Sequence, residues 1–193
     1  MKLLYLLIIL LSVSQSKNIS AQDNAEQQLD GFRNIKWNSS IKDVKSQETE
    51  TYLQTFSGFG KYTISYISEI IDLKTRIDYS FEENKLIEGS YVIESDLSEF
   101  LEKYINLREF LIKEYGLPDY YSGTKINSDS NWVKETEYGK YKGPELYWAF
   151  SKGFICLHGS RFEEDVTITI LYAHDKSIFE YSEGRRIDVK TFQ

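Results

Sequence analysis

Cys156 and His158 are the two residues of this sequence whose types and spacing could carry out chemistry together. They stand two positions apart in an alternating run that begins at Phe154, so on a β-strand their side chains project to the same face. A thiolate beside an imidazole is the pair that a nucleophilic enzyme uses, and the same two side chains can supply half of a zinc site.

The sequence lacks the residues that would complete a zinc site. Cys156 is its only cysteine and His174 its only other histidine, whereas a structural zinc site needs four ligands. We therefore expect no metal and no cofactor. A free cysteine is most often a small buried apolar residue, which favours packing at Cys156 and leaves an enzyme using Cys156 and His158 as the alternative.

Two acidic runs, Glu82-Glu83 and Glu163 to Asp165, could hold a hard cation or supply an acid–base pair. Neither run has the spaced oxygen ligands of a calcium loop, and both fall where a turn is expected. The sequence has no Gly-x-Ser-x-Gly, glycine-rich phosphate loop or His-Glu-x-x-His. These observations predict solvated acidic turns and a protein without catalytic residues.

The segment 119–145 indicates binding. It connects two patterned regions with 27 residues, where about 4 to 6 are usual, and connections of such length are often functional. Tyrosine and tryptophan offer large contact area at low entropic cost. Five such residues stand here among Gly, Ser, Asn and Lys: Tyr120, Tyr121, Trp132, Tyr138 and Tyr141. In a second interpretation they fold back over a sheet, with 132–136 as an extra strand.

The first 21 residues have the order of an export signal. Lys2 precedes an apolar run from Leu3 to Val13, and a polar stretch then ends in small residues at Ala21. The apolar run is about half the roughly 20 residues that a membrane-spanning helix needs. We expect cleavage after Ala21, a secreted or periplasmic product, and no integral membrane segment after cleavage.

The remaining chain is acidic and fits a single domain. Loss of Lys2 and Lys17 with the signal removes two positive charges from a sequence of formal net charge −7. An acidic surface repels phosphate backbones, so nucleic acid is not expected as a partner. Residues 22–193 fit the length of one domain, with a polar C-terminal tail at 182–193. A single cysteine means that a packed core must provide the stability.

Local patterns divide this domain into two similar halves, about 32–95 and 96–181. In the first half, Ser40 and Asp43 form a variant capping box that predicts a helix over 41–48. Residues alternate in polarity over 62–66, 77–81 and 87–93, which predicts an antiparallel meander. The turn between the last two strands falls at Glu82 to Lys85, where Asn84 tolerates positive φ.

The second half begins with the strongest helix pattern of the chain, from Asp96 to Gly116. Pro118 prevents the helix from resuming, and alternating strands follow over 146–150, 154–158 and 166–172. An apolar stripe at helical spacing predicts the side of this helix that faces the core. The stripe consists of Leu97, Phe100, Leu101, Tyr104, Leu107, Leu111 and Tyr115. The predicted class is α+β: an antiparallel sheet covered on one face by helices, from two tandem helix-plus-three-strand halves.

Two segments carry a resemblance to known families. The stretch from Ile35 to Lys45 resembles the opening of uncharacterised secreted bacterial proteins, with Asn38 where those proteins have a turn glycine. The helix end Tyr115-Gly116-Leu117-Pro118 is similar to the close of a helix in the same proteins. More distantly, both segments resemble the helix-plus-sheet modules of outer-membrane assembly lipoproteins and of β-lactamase inhibitor protein. This resemblance implies a module that binds proteins in the cell envelope, with no catalytic residues.

The sequence therefore favours a secreted or periplasmic, non-catalytic binding protein that recognises another envelope or extracellular protein through the aromatic segment 119–145. Two alternatives stay open. One is the enzyme using Cys156 and His158, and the other is a glycan-binding module, because sugar rings stack on exposed tyrosine and tryptophan.

Overall fold

The computed structural model describes residues 28–58, 60–122, 140–162 and 165–175. Over these residues the chain forms ten strands and two helices. In chain order they are β1 (Gly31–Phe32), β2 (Ile35–Lys36), α1 (Ile41–Gln47), β3 (Thr51–Gly58), β4 (Lys61–Ile70), β5 (Leu73–Glu82), β6 (Lys85–Ser95), α2 (Leu97–Tyr115), β7 (Tyr120–Ser122), β8 (Lys140–Ala149), β9 (Phe154–Phe162) and β10 (Asp165–Ala173).

Eight of the strands form one antiparallel sheet in the order β3-β4-β5-β6-β10-β9-β8-β7. The two halves of the sequence meet at its centre, where β6 pairs with β10 and Ile93 lies opposite Ile168. The remaining strands, β1 and β2, form a separate two-stranded hairpin. Among the described strands, β3 and β7 stand at the two ends of this sheet, and each pairs with one neighbouring strand.

The predicted α+β class is wrong, because the protein is mostly β. Only two helices occur in the described ranges, and α1 has seven residues with one of them, Val44, buried. Each predicted half also lacks a strand that the structure contains, β3 in the first and β7 in the second. Neither helix of the described chain has the length and apolar character needed to cross a membrane.

Helix α2 covers one face of the sheet, which we call the inner face. The helix contacts β6 and β10 and buries Phe100, Tyr104, Leu107 and Leu111. Phe100 lies directly over Gly159 of β9, where an added Cβ would come within 2.4 Å of its ring. The predicted stripe is confirmed at these four buried positions, whereas Leu97 at the start of the helix is exposed.

The β1–β2 hairpin covers another part of the inner face. Arg33 and Asn34 occupy its two-residue turn with φ of 51° and 64°, the left-handed conformation that such tight turns require. Phe32 enters the core between the rings of Tyr79, Tyr91 and Tyr172, at centroid distances of 5.4, 5.1 and 5.1 Å. The hairpin thus joins strands from both halves of the sheet.

The local predictions for the start of the first half are confirmed. Ser40 accepts a hydrogen bond from the backbone N–H of Asp43 and the Asp43 carboxylate accepts one from the backbone of Ser40, which is the expected capping box. Asn84 has φ of 62° in the β5–β6 turn. Asn38 has φ of 66°, so the position where the resembled proteins have glycine does need a left-handed conformation.

Candidate functional site

Strand β3 forms one edge of the sheet and is the most exposed strand of the described chain. It pairs with β4 on one side, and seven of its eight residues are exposed. An edge strand presents backbone N–H and C=O groups along its outer side, which another strand can use for pairing. β3 is therefore a surface on which an extended polypeptide could align.

Apolar side chains cluster on this edge. Tyr52, Leu53 and Phe56 expose 54%, 42% and 59% of their surface. Within the part of the chain that the structure describes, six large hydrophobic residues are exposed, and three of the six lie on this one strand. Single exposed apolar residues are common, but a cluster on a free strand edge is typical of a binding surface.

The amino acids of β3 explain both the strand and its open edge. Thr51 to Gly58 contains two threonines, a tyrosine and a phenylalanine, which favour extended backbone. Natural edge strands are usually blocked by a charged residue, a proline or a strong bulge. β3 has no charged residue and no proline, and its one irregularity is a bulge between Tyr52 and Gln54.

The bulge gives the edge an aromatic residue on each face. Tyr52 lies opposite Tyr66 on the inner face, with ring centroids 6.1 Å apart, and its hydroxyl is 3.0 Å from Thr55 Oγ1. Phe56 lies on the outer face opposite Thr63. An added strand with alternating side chains would therefore meet an apolar contact on either face.

A partly buried ion network lies at the start of β3. Arg33 at the β1–β2 turn lies 3.3 Å from the Glu48 carboxylate and 3.0 Å from that of Glu50. Glu50 also accepts a 2.7 Å hydrogen bond from Ser68 of β4, and Glu48 accepts one from the Tyr79 hydroxyl. The Glu48 side chain is only 3% exposed. Ion pairs and hydrogen bonds thus hold the start of β3, whereas the middle of the strand is exposed.

The network keeps Glu48 ionised. Burial opposes the charge on this carboxylate, but the hydrogen bond from Tyr79, backbone amides and the Arg33 charge outweigh burial, so the pKa of Glu48 lies below its usual value. Burial and the same hydrogen bond raise the pKa of Tyr79. A neutral phenol that donates to a carboxylate is a stable arrangement at neutral pH, and it assigns these residues a structural role.

The sequence-predicted pair Cys156 and His158 lies on the other face of the sheet, in β9. Register places Cys156 opposite Tyr147 and His158 opposite Glu145 of β8. Cys156 is 4% exposed and packs in a second apolar cluster with Tyr147, Phe154 and Ala173. A thiol with so little exposed surface is poorly placed to meet a substrate, which favours the packing interpretation.

Glu145 is the charged residue of this cluster that sequence reasoning missed. It is 6% exposed, and its carboxylate accepts a 2.9 Å hydrogen bond from the Tyr147 hydroxyl. Burial, with contributions from Cys156 and Glu145, raises the pKa of Tyr147, so the phenol stays protonated. The predicted strand began at Leu146 and Glu145 was assigned to the preceding connection, so neither its position in β8 nor its burial was predicted.

The structure separates the predicted binding residues of segment 119–145. Tyr121 is 7% exposed in the main core, whereas Tyr120 contacts the second apolar cluster on the opposite face. Trp132 and Tyr138 lie outside the described residues. Tyr141 belongs to β8, but its side chain is outside the described part. A binding role for the middle of this segment stays a prediction, as does the alternative of an extra strand at 132–136.

No metal site is assembled in the described residues. Glu163 and Glu164 lie outside them, and Glu82 and Glu83 are exposed at the β5–β6 turn. A shallow depression of about 470 Å³ beside the start of α2 is lined by Glu94, Asp96, Asp165 and Lys103, among others. Across residues 28–58, 60–122, 140–162 and 165–175, no three His, Cys, Asp or Glu side chains converge as metal ligands.

Comparison with known proteins assigns this chain to no family. A scan against protein-family models and a search of curated proteins both find no match. The resemblance to secreted bacterial proteins therefore stays a prediction that rests on the two quoted segments.

Proposed function

We propose that this protein is a non-catalytic binding protein, secreted or periplasmic, that recognises an extended segment of another envelope or extracellular protein. The segment would align with β3 as an additional strand of the sheet. One observation carries this proposal: within the described residues β3 pairs with β4 alone, carries no charge, and exposes Tyr52, Leu53 and Phe56. Export is supported by the signal-like residues 1–21.

Strand addition uses the two properties that β3 has. Backbone hydrogen bonds along the edge supply affinity with little dependence on sequence, and side-chain contacts on alternating positions supply specificity. Eight residues of antiparallel strand span about 27 Å. Tyr52 on the inner face and Phe56 on the outer face would contact alternate side chains of the added segment. We expect that segment to be uncharged where it faces β3.

A photo-crosslinking residue at position 56 tests the proposal directly. The chain carries the crosslinker in place of Phe56 and is irradiated in the cells that produce it, and mass spectrometry identifies the attached peptide. We expect one recurrent extended segment of another extracytoplasmic protein. The matched control carries the crosslinker in place of Glu109, whose side chain is 60% exposed on α2. Equal and unselective attachment at both positions would contradict the proposal.

Charge substitution gives an independent test. Leu53→Lys places a charge on the edge strand, whereas Leu117→Lys places the same charge at a leucine that is 58% exposed elsewhere. We expect Leu53→Lys to reduce recovery of the crosslinked segment by about tenfold or more, and Leu117→Lys to leave it unchanged. Far-ultraviolet circular dichroism checks that both variants are folded. Equal recovery with both variants would refute a role for β3.

A further inference from the structure

The turn between β4 and β5 carries an exposed isoleucine in a strained conformation. Ile71 has φ of 44° and Asp72 has φ of 65°, so both positions of this two-residue turn are left-handed. A β-branched side chain rarely adopts that conformation, because its branches crowd the neighbouring backbone. Ile71 also exposes 38% of its surface. The residue therefore costs free energy in the backbone and recovers little of it by burial.

The two other turns of this type in the described residues begin with charged side chains. Arg33 begins the β1–β2 turn with φ of 51°, and its guanidinium forms the ion pairs at the start of β3. Glu83 begins the β5–β6 turn with φ of 48° and is exposed. Of the three first residues, Ile71 alone is apolar and β-branched. Backbone strain that packing does not explain is typical of residues with a function.

Ile71 lies at the end of the sheet where β3 begins. The pairing of β3 with β4 starts at Thr51 and Ile67, whereas β4 continues for three more residues, to Ile70. The chain before β3 turns to the inner face, where the Glu48 carboxylate is buried. No described strand pairs with this end of β4 on the β3 side. The end of β4 and its turn therefore continue the exposed edge of β3, about 10 Å beyond its first residue.

Exposed apolar side chains are concentrated at this end of the sheet. Antiparallel pairing brings the start of β3, the β4–β5 turn and the end of β6 together there. Four of the six exposed large hydrophobic residues in the described ranges lie at these three places, and they are Tyr52, Leu53, Ile71 and Leu97. A segment that extends past the start of β3 would thus meet apolar side chains beyond the strand itself.

We infer that Ile71 is a second contact for the segment that aligns with β3, made by residues C-terminal to the aligned part. This inference rests on the proposed function. All pairings of the eight-stranded sheet are antiparallel, which is the slightly more stable arrangement per residue. An antiparallel segment runs from the Gly58 end of β3 to the Thr51 end, so its C-terminal continuation reaches the turn. An apolar side chain of that continuation packs on Ile71.

Crosslinking from two positions tests the shared segment and its direction. One chain carries the crosslinker in place of Phe56, and another carries it in place of Lys74, an exposed residue of β5 beside the turn. The residues of β4 opposite these positions, Thr63 and Glu69, are six residues apart. We expect both chains to attach the same partner segment. The attachment from position 74 should lie about six residues C-terminal to the attachment from position 56.

Substitution of Ile71 separates binding from stability. Asparagine adopts the left-handed conformation more readily than isoleucine, so Ile71→Asn should raise the midpoint of thermal unfolding by about 2–4 °C. The same variant should reduce recovery of the segment crosslinked from position 56 by about fivefold or more, because the apolar contact is lost. Glu83→Asn is the matched control, since it makes the same change at the same position of the β5–β6 turn. It should leave recovery unchanged.

The possible results distinguish this inference from the proposed function. If Ile71→Asn left recovery from position 56 unchanged, the inference would be wrong and the proposed function would stand. Attachment from position 74 on the N-terminal side, or no attachment there, would have the same meaning. An Ile71→Asn variant less stable than the wild type would show that Ile71 belongs to the core, which would also overturn the inference. If position 56 attached no recurrent segment, the proposed function would fail and the inference with it.

Discussion

The two edges of the sheet are protected to very different degrees. β7 has three residues, and Tyr121 at its centre is buried in the main core. β3 has eight residues and is exposed along nearly its whole length. A short edge strand offers few backbone groups to another chain, whereas a long uncharged one offers many. The β7 edge therefore offers little backbone for pairing with another strand, whereas the β3 edge offers an exposed strand of eight residues.

Helix cover explains much of the difference. The 19-residue helix α2 lies over the half of the sheet that ends in β7, where Trp148 of β8 donates a 2.8 Å hydrogen bond to the carbonyl of Gly116. Over the half that ends in β3, the described residues provide the small β1–β2 hairpin and the seven-residue α1. Burial of β3 would need cover that this short helix does not provide, so its aromatic side chains stay exposed.

The largest expected difference in stability is between alanine variants of two phenylalanines, one buried and one exposed. Phe150 is 2% exposed and its ring makes an edge contact with Tyr115 at 5.9 Å, so Phe150→Ala should lower the free energy of unfolding by about 3–5 kcal/mol. Phe56 is 59% exposed, and Phe56→Ala should change that free energy by about 0.5 kcal/mol or less. Chemical denaturation measures both. Equal losses would show that β3 is buried in solution.

The next largest effect on the free energy of unfolding is expected from the ion network at the start of β3. Glu48→Gln keeps the shape but removes the charge that faces Arg33, and we expect a loss of about 2 kcal/mol at neutral pH. The folded pKa of Glu48 is lowered, so its contribution is complete above the unfolded value of about 4.3 and disappears as pH falls through the lower folded pKa. Denaturation at several pH values should show the two proteins converge in acid.

Glu109→Gln is the control for that experiment, because this exposed carboxylate pairs with its neighbour Arg108 on the surface of α2. A surface pair of this kind contributes little, so its removal should leave the pH dependence unchanged. If Glu48→Gln were as mild as Glu109→Gln at every pH, the network would not anchor the edge.

Two glycines extend the comparison, because each lies close to a phenylalanine ring, one buried and one exposed. An added Cβ at Gly159 would lie 2.4 Å from the buried ring of Phe100, and at Gly58 it would lie 2.7 Å from the exposed ring of Phe56. The buried ring cannot move aside, so Gly159→Ala should cost about 1–3 kcal/mol. The exposed ring can rotate away, so Gly58→Ala should be close to neutral. Thermal unfolding of the two variants gives the comparison, and a large loss at Gly58 would mean that the Phe56 side chain is fixed.

Most elements could be predicted from the sequence because their signals are local. Strands with one face on a core alternate in polarity, as β4 does at Tyr62, Ile64 and Tyr66, and the caps of the helices are specific residues. β3 could not be found in this way. Tyr52, Leu53 and Phe56 do not alternate, because a bulge interrupts the strand and both of its faces are exposed.

The candidate site was missed for the same physical reason. What makes β3 a site is its position at the edge, which depends on the order of strands, and no residue of β3 encodes that order. A run of eight uncharged residues rich in Thr, Tyr and Phe was the one available signal. The predicted α+β class was wrong for a related reason. The helix pattern of α2 is strong in the sequence, whereas short strands such as β1, β2 and β7 show no periodicity and were not predicted.

The smallest expected effect compares the helix caps of the two halves. Ser40 uses its side chain to accept the N–H of Asp43, so Ser40→Ala should lower the free energy of unfolding by about 1 kcal/mol. Asp96 occupies the same position before α2 but makes no side-chain cap hydrogen bond, so Asp96→Ala should lose only a few tenths through the helix dipole. Denaturation of both variants tests this order. A larger loss at Asp96 would mean that its carboxylate caps α2 in solution, and the well-covered half would then depend on its cap as the open half does.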